Sequence, residues 1–233
     1  MGAGDIATVK VLEEKHRLAT RWFHWLSFPL LLAMIYSGLL IYWAYDPYRI
    51  GLGGVTLVHF FPAWFYDLTG AAQNLALGMG LHFAFAWLFA INGIAYVLYT
   101  LISGEWRGLL PDRNSPREAL RVAMHEAGFK VALPPQGRYN AAQRITYTAV
   151  ILMGGCSLLT GLAIYKPAQL HWLTAALGGY EWARWQHFWL TMGYVAFFVI
   201  HVAQVARAGW ANFRSMVCGY DLDDANAEVT RRD

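Results

Sequence analysis

Charge is what this chain has least of. Only 14% of its 233 residues are Asp, Glu, Lys or Arg, against 57% hydrophobic and 16% aromatic. Soluble domains carry about 25% charged residues, so the composition argues against a water-soluble globule. The charges are missing in blocks: Trp22 to Tyr45, Leu68 to Gly104, Ile145 to Tyr165 and Trp185 to Ala206 contain none. Crossing the ~30 Å hydrocarbon core takes roughly 20 helical residues, so each block can span a bilayer. Cysteine is scarce as well. Cys156 in the third block and Cys218 near the C-terminus exclude a disulfide framework and a cysteine metal quartet. Internal repeats and low-complexity tracts are absent. A net charge of +3 spread over separate loops is no nucleic-acid footprint, so no nucleic-acid partner is expected.

What remains is a plan for an all-α integral membrane protein: a four-transmembrane-helix bundle, one domain over residues 1–233, with helices at about 21–45, 76–102, 141–165 and 183–212 and a tail at 213–233. Helices are the choice because an open set of strands would leave backbone groups unpaired in lipid. The basic residues give the orientation. Lys10, Lys15, Arg17 and Arg21 precede the first span. Arg107, Arg113, Arg117, Arg121, Lys130, Arg138 and Arg144 lie between the second and third, and Arg207, Arg214, Arg231 and Arg232 follow the fourth. The other side keeps Arg49, Lys166 and Arg184. The positive-inside bias then places both termini and the middle connection in the cytoplasm. No cleavable targeting segment is expected, since the first apolar run is too long for a signal-peptide core. Residues 46–74 form an apolar outer loop, expected in the interface or against a partner. Residues 105–140 read as an exposed connection. The acidic tail with Asp221, Asp223, Asp224 and Glu228 is expected to be solvated and partly disordered.

Four of the eight histidines, His24, His82, His187 and His201, fall in the expected spans. Ionisable residues within a membrane are expensive and mark function by default. His187 and His201 are 14 residues apart, which on a helix returns within roughly 40° of the same direction and about 21 Å further along the axis. The orientation makes His187 and His82 outer, and His201 and His24 inner. The four sort into two level-matched pairs. Two neutral imidazoles on facing helices can supply both axial ligands of a haem iron, so the pattern points to two haems stacked across the membrane. Gly38 and Gly93 sit on the faces of His24 and His82, where a missing side chain leaves room for a porphyrin. The competing readings are hydrogen bonding between helices, zinc, and a proton relay. Zinc would gather three or four ligands at one depth, and a relay normally enlists Asp or Glu, which the spans lack.

At the start of the third span the chain reads Gly137-Arg138-Tyr139-Asn140-Ala141-Ala142-Gln143-Arg144. Asn140 is a good N-cap. The alternatives are that it only caps, or that it and the following backbone amides also bind a quinone head group beside the inner haem. Arg17, Arg21, Arg144, Arg207 and Arg184 are candidates for haem propionates. Trp22, Trp25, Trp43, Trp182, Trp185, Trp189 and Trp210 read as interfacial anchors. His59, in the apolar outer loop, could meet a partner or a propionate.

These residues resemble the membrane cytochrome b subunits of bacterial formate dehydrogenases, nickel-iron hydrogenases and thiosulfate reductase-like enzymes. The carrying features are His24-Trp25, His82, the Arg138-to-Arg144 segment and the His187/His201 pair, and they cover all four spans. The resemblance implies His82 with His187 for an outer haem b and His24 with His201 for an inner one. It implies quinone, ubiquinone or menaquinone, at Asn140 and the backbone of Ala142, where the family often has glycine. It also implies a periplasmic iron-sulfur or molybdenum/nickel-iron oxidoreductase subunit as partner, with the substrate chemistry on that subunit and this chain in the bacterial inner membrane. A stand-alone cytochrome b taking electrons from a diffusing donor such as superoxide, and a haem-free membrane scaffold or transporter, are the rival functions.

Overall fold

The computed structural model describes residues 10–45, 47–52, 54–134 and 139–224. In chain order its elements are β1 (Lys10–Glu14), α1 (Leu18–Ala44), β2 (Arg49–Leu52), β3 (Val55–His59), α2 (Ala63–Thr69), α3 (Leu75–Ser103), α4 (Trp106–Leu109), α5 (Ser115–Glu126), α6 (Ala141–Tyr165), α7 (His171–Ala176), α8 (Tyr180–Cys218) and β4 (Tyr220–Asp224). Helices α1, α3, α6 and α8 are long and apolar enough to cross a membrane. The protein is an all-α, four-span integral membrane protein. Gly137, Arg138, Glu228, Arg231 and Arg232 lie outside the described residues.

The four long helices match the four expected spans: α6 has the expected bounds, α3 and α8 run past both ends, and α1 starts three residues earlier and ends one residue short. Glycine sets two boundaries. Gly104 closes α3 in the left-handed region, at φ 76°, where a side chain would clash. Gly209, at φ 82° and ψ 177°, interrupts α8, and a further helical piece continues to Cys218. That piece carries the last helix beyond the expected end at 212, and the strand after it, β4, runs antiparallel to β1 with Lys10 opposite Asp224. An amphipathic signal was missing because β1 and β4 find their partners only in each other, almost the whole chain apart.

The chain divides into two compact units. The larger, Ser27–Val195, holds α3 and α6 whole. Here α1 and α3 approach at Gly78, where an added Cβ would stand 2.6 Å from Leu40 Cβ and 3.2 Å from the Ser37 carbonyl. Small residues permit such helix contacts in membranes. Asn92 Nδ2–H on α3 donates to Ser27 Oγ on α1 at 2.8 Å, satisfying a buried amide away from water. The apolar outer loop becomes the exposed β2–β3 hairpin followed by α2, with Tyr66 of α2 buried against Leu40 and Ala71. His59 ends that hairpin opposite Arg49. In the middle connection, Asp112 caps the start of α5: its carboxylate accepts from the N–H groups of Asn114 and Ser115, each at 2.9 Å.

The smaller unit comprises the described residues up to Leu26 and from Ala196 onward. Its helix ends are tied by side chains. Trp25 Nε1–H donates to the Met216 carbonyl at 3.1 Å, and the Arg21 guanidinium donates to the Val217 carbonyl. Both use carbonyls at the end of α8, which have no acceptor role within the helix.

Candidate functional site

In the larger unit, α3 carries His82 and α8 carries His187. Their ring centres are 6.2 Å apart, with planes at 74°. Each ring is held from a neighbouring helix by a hydroxyl. His82 Nδ1 lies 3.0 Å from Ser37 Oγ on α1, and His187 Nδ1 lies 2.9 Å from Thr160 Oγ1 on α6. The residue after each hydroxyl is glycine, and the imidazole rests on its bare backbone. A Cβ added at Gly38 would stand 3.6 Å from His82 Cε1, and one at Gly161 3.4 Å from His187 Cε1. Gly38 therefore lies beside an imidazole, at a distance where a Cβ would make an ordinary van der Waals contact. A Cβ at Gly93 would meet nothing within 4 Å.

In the smaller unit, α1 carries His24 and α8 carries His201, with ring centres 6.0 Å apart and planes at 60°. His201 stacks on Phe197 at 5.5 Å and 19°. His24 meets the edge of Trp25 at 5.2 Å, so the tryptophan read as an interfacial anchor also braces a histidine against the end of α8. His24 Nδ1 is buried without a hydrogen-bond partner among the described residues.

The separations can be compared with a metal held between two imidazoles. A metal–nitrogen bond of about 2 Å on each side, with roughly 1 Å from each ring nitrogen to its ring centre, gives a span of about 6 Å. Both pairs match it. No three or more His, Cys, Asp or Glu among the described residues gather as a metal cluster. The donors come in twos, as bis-imidazole ligation of haem requires.

Asn140 is the N-cap of α6 in a capping box. Its Oδ1 accepts from the Gln143 N–H at 2.9 Å, and the Gln143 side chain accepts from the Asn140 N–H at 3.0 Å. This leaves the Asn140 Nδ2–H group, and the N–H groups of Ala141 and Ala142, which precede the first intrahelical bonds. Arg144, a propionate candidate, pairs with Asp112 at 2.8 Å and donates to Ser115 Oγ at 2.9 Å. The guanidinium hydrogen bond, followed by that of Ser115, holds the Asp112 carboxyl at about 2, below the ordinary 3.8. Arg184 lies over the Tyr45 ring at 4.5 Å, and Arg21 is engaged by the Val217 carbonyl.

The family model described as prokaryotic cytochrome b561 matches residues 15–219. The chain belongs to the prokaryotic cytochrome b561 family. It is also 34% identical, over 190 residues, to the putative protein-methionine-sulfoxide reductase subunit YedZ1 of Azospira oryzae. That alignment covers 78% of this chain and 85% of the relative. As a cytochrome b561, the chain is a multi-pass membrane haem protein whose cofactor is haem b. The match spans both histidine pairs and the α6 cap. Sequence reasoning passed over Ser37 and Thr160. Their signal was the doublets Ser37-Gly38 and Thr160-Gly161, each a hydroxyl and a glycine set within an apolar span.

Proposed function

We propose that this cytochrome b561 holds two haem b groups in the bacterial inner membrane and carries electrons between a periplasmic oxidoreductase subunit and quinone. The two imidazole pairs, each at the separation that one metal between two rings requires, carry this reading. His82 and His187 would hold the outer haem; His24 and His201 would hold the inner one. Haem b bound in this way supplies a ferric–ferrous couple that takes up and returns one electron. The chain's own part is to present neutral ring nitrogens, to surround them with apolar side chains, and to keep water away.

At the cytoplasmic end, the Asn140 Nδ2–H and the Ala142 N–H are the donors for a quinone carbonyl, ubiquinone or menaquinone. The start of α6 favours the negative charge that develops on that oxygen. The partner reading is supported by the relative from Azospira oryzae, which is described as a subunit of a reductase. Iron-sulfur, molybdenum and nickel-iron subunits are the partner classes the resemblance implies. The orientation, with both termini cytoplasmic, rests on the placement of the basic residues.

The test is haem stoichiometry combined with redox titration of the purified protein. Two low-spin b-haem equivalents that titrate as two components are expected. One equivalent, or none, overturns the reading.

A further inference from the structure

Both imidazoles of the His82–His187 pair touch a hydroxyl through Nδ1, and the direction of each contact follows from what the hydroxyl does with its own proton. Ser37 Oγ–H donates to the Ala33 carbonyl one turn back, at 2.6 Å, with the Met34 carbonyl at 3.2 Å. Thr160 Oγ1–H donates to the Cys156 carbonyl at 2.7 Å, with the Ser157 carbonyl at 3.2 Å. A hydroxyl has one proton and two acceptor lone pairs. With that proton committed to a carbonyl, Ser37 Oγ and Thr160 Oγ1 can only accept from the rings. Nδ1 of His82 and of His187 must therefore carry hydrogen. In a neutral imidazole the other nitrogen, Nε2, then holds the lone pair.

We propose that Ser37 and Thr160 are positioning residues that fix His82 and His187 as Nδ1–H tautomers and turn both Nε2 lone pairs toward one metal. This rests on the two-haem reading and goes beyond it, because it names what selects the ligating nitrogen and the ring orientation. Ligating histidines generally donate their second ring N–H to a fixed acceptor, which sets the tautomer and raises ligand basicity. Gly38 and Gly161 flank the same rings, where an added Cβ would stand 3.6 Å from His82 Cε1 and 3.4 Å from His187 Cε1. The same hydroxyl–glycine doublet thus serves α3 from α1 and α8 from α6. The His24–His201 pair differs, since His24 Nδ1 has no partner among the described residues.

A more basic ligand favours the ferric state, so removing the acceptor should raise the potential of the haem held by that pair and leave the other component in place. The experiment compares wild type, Thr160→Val, Thr160→Ser and Ser37→Ala by haem content, redox titration and electron paramagnetic resonance of the oxidised protein. Thr160→Val and Ser37→Ala should each shift one titrating component upward, alter one low-spin signal, and weaken retention of one haem by roughly 10–100-fold. Thr160→Ser, which keeps the hydroxyl, should titrate as wild type. The inference is overturned if Thr160→Val titrates as wild type, or if Thr160→Ser shifts as far as Thr160→Val, which would make the effect one of packing. Should Thr160→Val fail to accumulate, Ser37→Ala, which adds no atoms, decides by the same readings. Fewer than two haems in wild type would defeat the two-haem reading itself, whatever the variants do.

Discussion

His187→Ala should cost one haem equivalent and one titrating component while the other persists, and His201→Ala should remove the complementary component. Absorbance and haem analysis of the two variants check this; loss of both haems from either variant, or of neither, would count against the pairing. Asn140 allows a sharper separation of roles. Asp caps a helix as well as Asn does but offers no N–H donor, so Asn140→Asp should keep α6 intact and still slow quinone exchange at least tenfold. Asn140→Ala should slow exchange too, and also destabilise the helix start by about 0.5–2 kcal/mol. Steady-state quinone reduction alongside thermal unfolding distinguishes the two variants. At this scale the four histidines and the cap were legible in the sequence, because helical spacing and N-cap chemistry are local properties. Ser37 and Thr160 were not. A hydroxyl within an apolar run commonly bonds the carbonyl one turn back, and only the packing of α1 on α3 and of α6 on α8 reveals that its lone pairs face an imidazole.

Among the elements, the joint between the middle connection and α6 is tied by a carboxylate. Arg144 binds Asp112, and Thr148 Oγ1–H donates to the Leu109 carbonyl at 3.0 Å, so the stretch before α5 is anchored to the first two turns of α6. The folded-state value of Asp112 lies below its ordinary one. Its contribution to stability is therefore complete above about 3.8 and is lost as pH falls through about 2. Unfolding temperatures measured from pH 5 to pH 2 should fall for wild type more steeply than for Asp112→Asn, which has no carboxylate there to protonate; parallel curves would show that the pair does not hold the joint. The sequence showed an exposed connection here but not this pairing, since 32 residues separate the partners and no periodic pattern links them. The α1–α3 approach at Gly78 was hidden for a related reason: many glycines in membrane helices serve packing, and the facing residue, Leu40, is known only once the helices are placed.

For the whole molecule, the span count follows from the uncharged runs, and the orientation is argued from where the basic residues stand. A periplasm-active reporter fused after the last residue should be inactive and a cytoplasm-active one bright; the opposite result would invert the molecule and exchange the outer and inner assignments. The departures from the sequence reading lie at the chain ends, where β1 pairs with β4 and α8 continues past Gly209. Short strands and helix breaks depend on remote partners and backbone geometry, which hydropathy does not report.

Each imidazole pair takes one ring from α8. This is the last long helix of the chain, so the order of synthesis matters. While the polypeptide is being made, α1 and α3 each present a lone histidine with nothing opposite it. Neither pair exists until Tyr180 and the residues beyond it have been inserted. On the two-haem reading, a chain that stops before α8 is a pair of half-sites, and loading of the cofactor belongs to the finished polypeptide rather than the growing one.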